Sequence, residues 1–215
     1  MAQQTEPADQ PRLSGRKAQA ARNNELILDA ARAVFLDDPT APIAAVAERA
    51  GVGISALYRR YPSKEVLLRT LCLEGLRQYN AEADAALSDS DGWRGLVGFL
   101  ERVVEADVHS LAVHLAGTFT PDESLLPEVI HSGEAAGELI RRAHATGRLR
   151  ADFTALDLAL VLDACAAVGV PDPVRTAQLR KRLLAVLVDG MSATGELPGP
   201  APAEGEFAWR WERRA

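Results

Sequence analysis

The chain has 215 residues, 47% hydrophobic and 25% charged, which is ample apolar material for a globular core. No apolar run approaches the ~20 residues of a membrane span, the first 25 residues hold no apolar secretory stretch, and two cysteines 93 positions apart form no disulfide framework; a soluble, reduced, cytoplasmic protein is expected. The net charge of −6 is unevenly divided, with 10 Lys+Arg against 8 Asp+Glu in residues 1–70 and 14 against 22 in the remainder, so the acidic total leaves room for a locally basic surface near the N-terminus.

Aromatics make up 5% of the chain, period-two alternation is lacking, and Ala, Leu, Arg and Glu fill the long segments, which predicts an all-α fold of about nine helices. Residues 1–17 read as a disordered basic arm ending in Arg16 and Lys17. A first helix runs from about Ala18 to Leu36, with Ile27, Ala30, Ala31, Val34 and Phe35 on one face. The next begins at Pro42 and ends before Gly51, and a short third helix spans Ile54 to Tyr61, stopped by Pro62. Ser63 can cap a long fourth helix reaching about Leu87.

Asp91 or Ser90 caps a helix predicted from Trp93 to about Leu115. Thr120-Pro121-Asp122-Glu123 has the form of a capping box, so the following helix starts there or shortly after Pro127 and ends near Thr146-Gly147. Thr154 to Asp157 opens another helix through Val168, and Asp172-Pro173 opens the last, through Met191. Residues 195–215 form a Pro/Gly-rich tail whose Phe207, Trp209 and Trp211 either dock on the body or hang free.

The informative segment is residues 42–68, PIAAVAERAGVGISALYRRYPSKEVLL: a nine-residue helix, a Gly-Val-Gly turn and a second short helix, the spacing of a helix-turn-helix. At 100° per residue Ile54, Leu57 and Tyr61 fall within about 60° of one another, toward the neighbouring helices. Ser55, Ala56 and Arg59 lie opposite, flanked by Tyr58 and Arg60. That outward face offers a hydroxyl, a methyl, a phenol and two guanidiniums, groups that suit a major groove. Ile54 stands either with the core or against a base, and Arg16 and Lys17 are either a solvated pair or an arm toward DNA.

Gly51-Val52, Leu57-Tyr58, Tyr61 and Lys64, followed by a long helix, resemble the TetR family of bacterial transcriptional regulators, as does the Ile27/Ala31/Phe35 pattern; the likeness covers residues 22–70. The resemblance implies a ligand-responsive repressor that binds a palindromic DNA operator as a homodimer. It implies that Tyr58 and Lys64 hold phosphates, that Ile54, Ser55, Arg59 and Arg60 face bases or backbone, and that Arg16 and Lys17 reach a minor groove or phosphate. Three departures stand out. Ala41 precedes Pro42 where the family carries a Thr or Ser cap, Ala44 and Ala45 replace polar residues that touch phosphates, and Arg60 stands where His is common. The later chain, through Trp93, Gly147-Arg148-Leu149-Arg150 and the final two helices, is similar to the SbtR-like C-terminal domain of one subgroup. The expected organisation is a DNA-binding head over 18–66, a connecting helix to about 87, and an effector-binding and dimerisation domain over 67–194.

Trp93, Phe99, His109, His114, Phe119 and Cys165 are candidates for a ligand cavity between helices, each also explicable as core. His109 and His114 lie about 140° apart on a helix with no Cys or carboxylate to complete a ligand set, so no metal is assigned. The segment from Ala155 to Val168 is apolar nearly all round, broken by Asp157 and Asp163, and is covered either within one chain or by a second. With a stripe of Leu179, Leu183, Val186 and Leu187 on the last helix, and Leu156, Leu160 and Val168 on its predecessor, an isologous four-helix dimer interface is expected. The alternatives are an all-α enzyme or a protein-binding adaptor; no nucleophile elbow, phosphate loop or metal pair is present, and no catalytic residue or cofactor is assigned.

Overall fold

The computed structural model describes residues 15–115, 117–203, 205–207 and 210. Among these the chain is all-α, with nine helices, one 3-10 turn and no strand. Helix α1 (Gly15–Asp37) buries Ile27, Ala30, Ala31 and Phe35. It begins at Gly15, so residues 15–17, expected in the arm, are helical; the rest of the arm lies outside the described residues.

Helix α2 (Ile43–Ala50) starts from an extended Pro42 with no side-chain cap. Thr40, two residues before Pro42, supplies no cap either: its main-chain N–H and its hydroxyl both donate to Asp38 Oδ1, at 2.8 and 2.7 Å. Gly51 closes α2 in the left-handed region at φ 65°, a conformation glycine adopts without steric cost, and this bend turns the chain into α3 (Ile54–Arg60). Helix α4 (Lys64–Leu87) is capped by Ser63, whose hydroxyl oxygen accepts from the Val66 N–H.

The segment expected as one helix from Trp93 to Leu115 is two: α5 (Gly92–Glu105), capped by Asp91, and α6 (Val108–Leu115). The break falls at Asp107, which sits at φ 52° with its carboxylate on Arg180. Asp tolerates that region better than most residues, and the Arg180 guanidinium also reaches the carbonyls of Ala166 and Val168. The capping box expected at Thr120 does not form as drawn. Asp122 caps a 3-10 turn (Glu123–Leu125) through Ser124 instead, and that turn leads into α7 (Leu126–Ala145). Helix α8 (Ala155–Ala167) has the predicted Thr154/Asp157 capping box, and α9 (Pro173–Met191) is capped by Asp172.

Two apolar clusters form. One joins α1, α2, α3 and the first half of α4 through Phe35, Val46, Leu57, Leu67 and Leu71; the other joins the second half of α4 to α5, α7, α8 and α9 through Leu96, Phe99, Leu139 and Leu162. Helix α4 does not bridge them alone. Leu111 and Leu115 of α6 are buried in the first cluster, with α6 packed on α1. The tail docks at its described residues: Arg150 donates to the Gly195 carbonyl, the Leu197 N–H donates to Asp152, and Arg210 pairs with Asp163 at 2.5 Å. Trp209 and Trp211 lie outside the described residues. No helix among the described residues is long and apolar enough to cross a membrane.

Glycine sets the closest helix contacts. A Cβ on Gly92 would collide with the Arg142 carbonyl, and one on Gly95 would sit 2.8 Å from the Ala86 carbonyl oxygen, whereas Gly137 has open space. Gly95→Ala is therefore expected to cost about 1–3 kcal/mol by overpacking, and Gly137→Ala to gain up to about 1 kcal/mol from helix propensity, read as opposite shifts of the urea unfolding midpoint.

Candidate nucleic-acid interface

Helix α3 has one fully buried residue, Leu57, with Tyr61 buried just beyond its end. Ser55, Ala56, Arg59 and Arg60 are exposed, as are Tyr58 at 46% and Ile54 at 41%. The apolar strip drawn from the helical projection thus shrinks to Leu57 and Tyr61. Ile54, the first residue of the helix, belongs to the outer surface. Ala44 is exposed in the first turn of α2, and Arg16 and Lys17 fall in the first turn of α1.

Two polar contacts fix the orientation of this surface. Lys64 donates from Nζ to the carbonyls of Pro39 and Ala41, at 2.9 and 2.7 Å, with its ammonium 5.0 Å from the centre of the Phe35 ring. The residue expected to hold a phosphate therefore ties the α1–α2 loop to the start of α4. One of its three N–H donors is left for a ligand. Partial burial pulls its pKa below the usual lysine value, with Asp38 opposing.

The second contact centres on a residue that the sequence reading passed over. Asn24 of α1 accepts at Oδ1 from the Tyr61 hydroxyl at 2.6 Å and from Arg60 Nε at 3.0 Å. Burial raises the Tyr61 phenol pKa. The available signal was Asn23-Asn24 within an otherwise helix-favouring run, since Asn competes poorly for helix interiors. Asn23, Asn24, Ile27, Val52, Ala56, Arg59 and Arg60 line a groove of about 240 Å3 between α1 and α3. Arg49 and Arg59 make no ion pair among the described residues. The α3 surface is thus rigidly backed and carries cationic charge not neutralised by its own protein.

A separate cleft of about 360 Å3 opens between α4, α6, α7 and α8. Cys72, Gly75, Leu76 and Tyr79 face it from α4, Val108, His109 and Leu111 from α6, Val129, Ser132, Gly133 and Ala136 from α7, and Ala155, Leu158, Ala159 and Leu162 from α8. Of the six residues expected to line a cavity, only His109 faces this cleft; Cys165 borders, with His109, a separate void of about 10 Å3. Trp93, Phe99 and Cys165 are buried in the C-terminal cluster and Phe119 in the other. His114 turns back to the Ser110 carbonyl of its own helix. Burial raises the thiol pKa of Cys72 to about 11, and burial likewise raises that of Cys165, so both stay protonated and unreactive. Among the described residues no group of three or more His, Cys, Asp or Glu is placed to hold a metal.

Helices α8 and α9 present apolar side chains outward. On α9 Val186 is 63% and Val174 67% exposed, and on α8 Leu160 is exposed. Leu156, Val168, Leu179, Leu183 and Leu187 are half-buried, with Leu183 and Leu187 packed toward the C-terminal cluster. The two acids that looked awkward on α8 both have partners. Asp157 completes the helix cap, and Asp163 takes His109 at 2.8 Å on one oxygen and Arg210 on the other.

Residues 27–71 match the sequence profile described as bacterial regulatory proteins, tetR family, and residues 93–193 match that described as the transcriptional regulator SbtR-like C-terminal domain. The chain is 35% identical over 127 residues to the HTH-type transcriptional repressor LfrR of Mycolicibacterium smegmatis, a match covering 57% of this chain and 65% of that protein, just under two thirds of its length. Among solved structures, LfrR in complex with proflavine superposes with a TM-score of 0.59 at 26% identity, covering 82% of this chain and 99% of that one. The regulator PfmR from Thermus thermophilus shares the fold, with a TM-score of 0.61 at 22% identity over 78% of this chain and 99% of that one.

The Asn24 contact gives a stability test. Asn24→Ala leaves a buried phenol without its acceptor and is expected to cost about 1–3 kcal/mol in urea unfolding, while Asn24→Asp, which keeps an acceptor, costs measurably less.

Proposed function

The chain belongs to the TetR family of bacterial regulatory proteins, and we propose that it is a homodimeric transcriptional repressor, acting in the cytoplasm, that leaves a palindromic operator when a small molecule enters its C-terminal domain. The observation that carries this reading is the outward face of α3, exposed along its length and backed by Leu57, Tyr61 and Asn24. Each protomer lays this face in a major groove. Arg59 donates bidentately to a guanine, Ser55 and Ile54 approach thymine methyls or base edges, and Tyr58, Arg60 and the remaining Lys64 donor hold phosphates. Ala44 contributes only main chain and a methyl, and Arg16 and Lys17 reach the flanking backbone.

In this reading residues 18–66 form the head, residues 67–194 bind effector and dimerise, and residues 1–17 and 195–215 are arm and tail. The exposed apolar side chains of Leu160, Val174 and Val186 support pairing of α8 and α9 with a second copy, an arrangement that buries them symmetrically. Two heads then address half-sites about 34–36 Å apart. The cleft supplies the switch. Leu111 of α6 both lines it and packs in the head-side cluster, so a ligand that displaces α6 displaces α1. Operator affinity falls only as far as the ligand prefers the displaced state. The complex of LfrR with proflavine supports a small-molecule trigger for a chain of this fold.

Selection of bound fragments from a random DNA pool is expected to return inverted repeats, with affinity falling steeply as salt rises. Arg59→Ala should cost about 1–3 kcal/mol and relax preference at one base pair, whereas Tyr58→Phe weakens all sequences alike. Salt-insensitive binding or an absence of symmetry in the selected pool contradicts the reading.

A further inference from the structure

The cleft is walled by small and aliphatic side chains, and none of its lining residues is Asp, Glu, Lys or Arg. Asp163, the partner of the lining residue His109, is occupied on both oxygens by His109 and Arg210. A charged ligand would give up its hydration here and meet no counter-charge, a poor exchange in an apolar site. One hydroxyl in the wall is uncommitted. Tyr79, half-buried in the cleft wall, makes no hydrogen bond among the described residues, and its oxygen is not among the sealed, unpartnered atoms, so the hydroxyl keeps room for a partner. Its ring is held edge-on against Phe99 with centroids 5.0 Å apart. Burial raises its pKa to about 12, so it stays a neutral donor across the physiological range.

We propose that the cleft binds an uncharged, largely apolar molecule that presents a hydrogen-bond acceptor, such as a ketone or ester carbonyl, to the Tyr79 hydroxyl. This rests on the reading of the cleft as the effector site and specifies its chemistry. His109, held through Nε2 by the Asp163 carboxylate, leaves Nδ1 as a second, weaker contact. Gly75 and Gly133 line the cleft, Gly133 at its exposed mouth, and a Cβ at Gly133 meets nothing within 4 Å, so a large side chain there can narrow the entrance without disturbing the helix.

The test uses the full chain and three fluorescent probes, all at one pH and ionic strength. Prodan is a neutral naphthyl ketone whose emission shifts to the red when its carbonyl accepts a hydrogen bond; anilinonaphthalenesulfonate is an anion and proflavine a cation. Prodan is expected to bind saturably, at least tenfold more tightly than either charged probe. Tyr79→Phe should weaken prodan about fivefold or more and shift its bound emission to the blue, and Gly133→Phe should abolish binding while helix content and unfolding midpoint are retained. No saturable prodan binding, a charged probe that binds as tightly, emission unchanged in Tyr79→Phe, or binding that survives Gly133→Phe overturns the inference. Operator affinity is read separately: prodan bound in this way without loss of DNA binding upholds the ligand chemistry and contradicts the switching role.

Discussion

Helix α3 stands on two buried side chains behind it. Helix α3 has seven residues, well short of the about 12–15 at which an isolated helix becomes even marginal in water. Its existence and its direction are therefore supplied by packing, Leu57 within the head cluster and Tyr61 beside it, with the phenol anchored on Asn24 of α1. Because those two positions take all the burial, the rest of the helix is free to present Ile54, Ser55, Tyr58 and Arg59 outward. Lys64 does the same for the far side of the turn by gathering the α1–α2 loop onto the start of α4. The surface can be rigid and cationic because few of its own residues are used to hold it.

That head is not mechanically separate from the rest. Helix α4 runs through both apolar clusters, and α6 sends Leu111 and Leu115 into the head-side one while Val108 packs in the other. Both clusters are closely packed, and packed interiors respond to an intruding group by shifting elements rather than by compressing. The cleft opens between α4, α6, α7 and α8, so one of the elements a ligand touches, α6, is already in contact with α1. The left-handed Asp107 between α5 and α6, held by Arg180, gives α6 an end of its own instead of making it the continuation of α5.

The sequence carried the head well and the cleft poorly, for different physical reasons. Helix ends in the head are written in residues with strong local preferences, Gly51 in the left-handed region and Ser63 as a cap, and both act as expected. The break at Asp107 leaves no such mark, since the apolar spacing continues across it from Val103 to Leu111 and the contact that stabilises it comes from Arg180, 73 positions away. Asn24 was equally invisible because its partners lie 36 and 37 positions later. The cavity expectation picked large aromatics, and these are the side chains that fill space: Trp93, Phe99 and Phe119 are core. The cleft forms where bulk is missing, at Gly75, Gly133, Ala136, Ala155 and Ala159, and small residues give no distinctive signal in a chain rich in alanine.

The most direct measurement of the account is the distance between the two heads. Glu48 of α2 is exposed while Cys72 and Cys165 are buried, so a spin label on Glu48→Cys reports the separation selectively in the assembled protein. A symmetric dimer that grips duplex DNA through paired α3 helices predicts one narrow interprotomer distance on operator DNA and a different one once a cleft ligand has displaced that DNA. An identical distance in the two states, or no interprotomer distance at all, contradicts it.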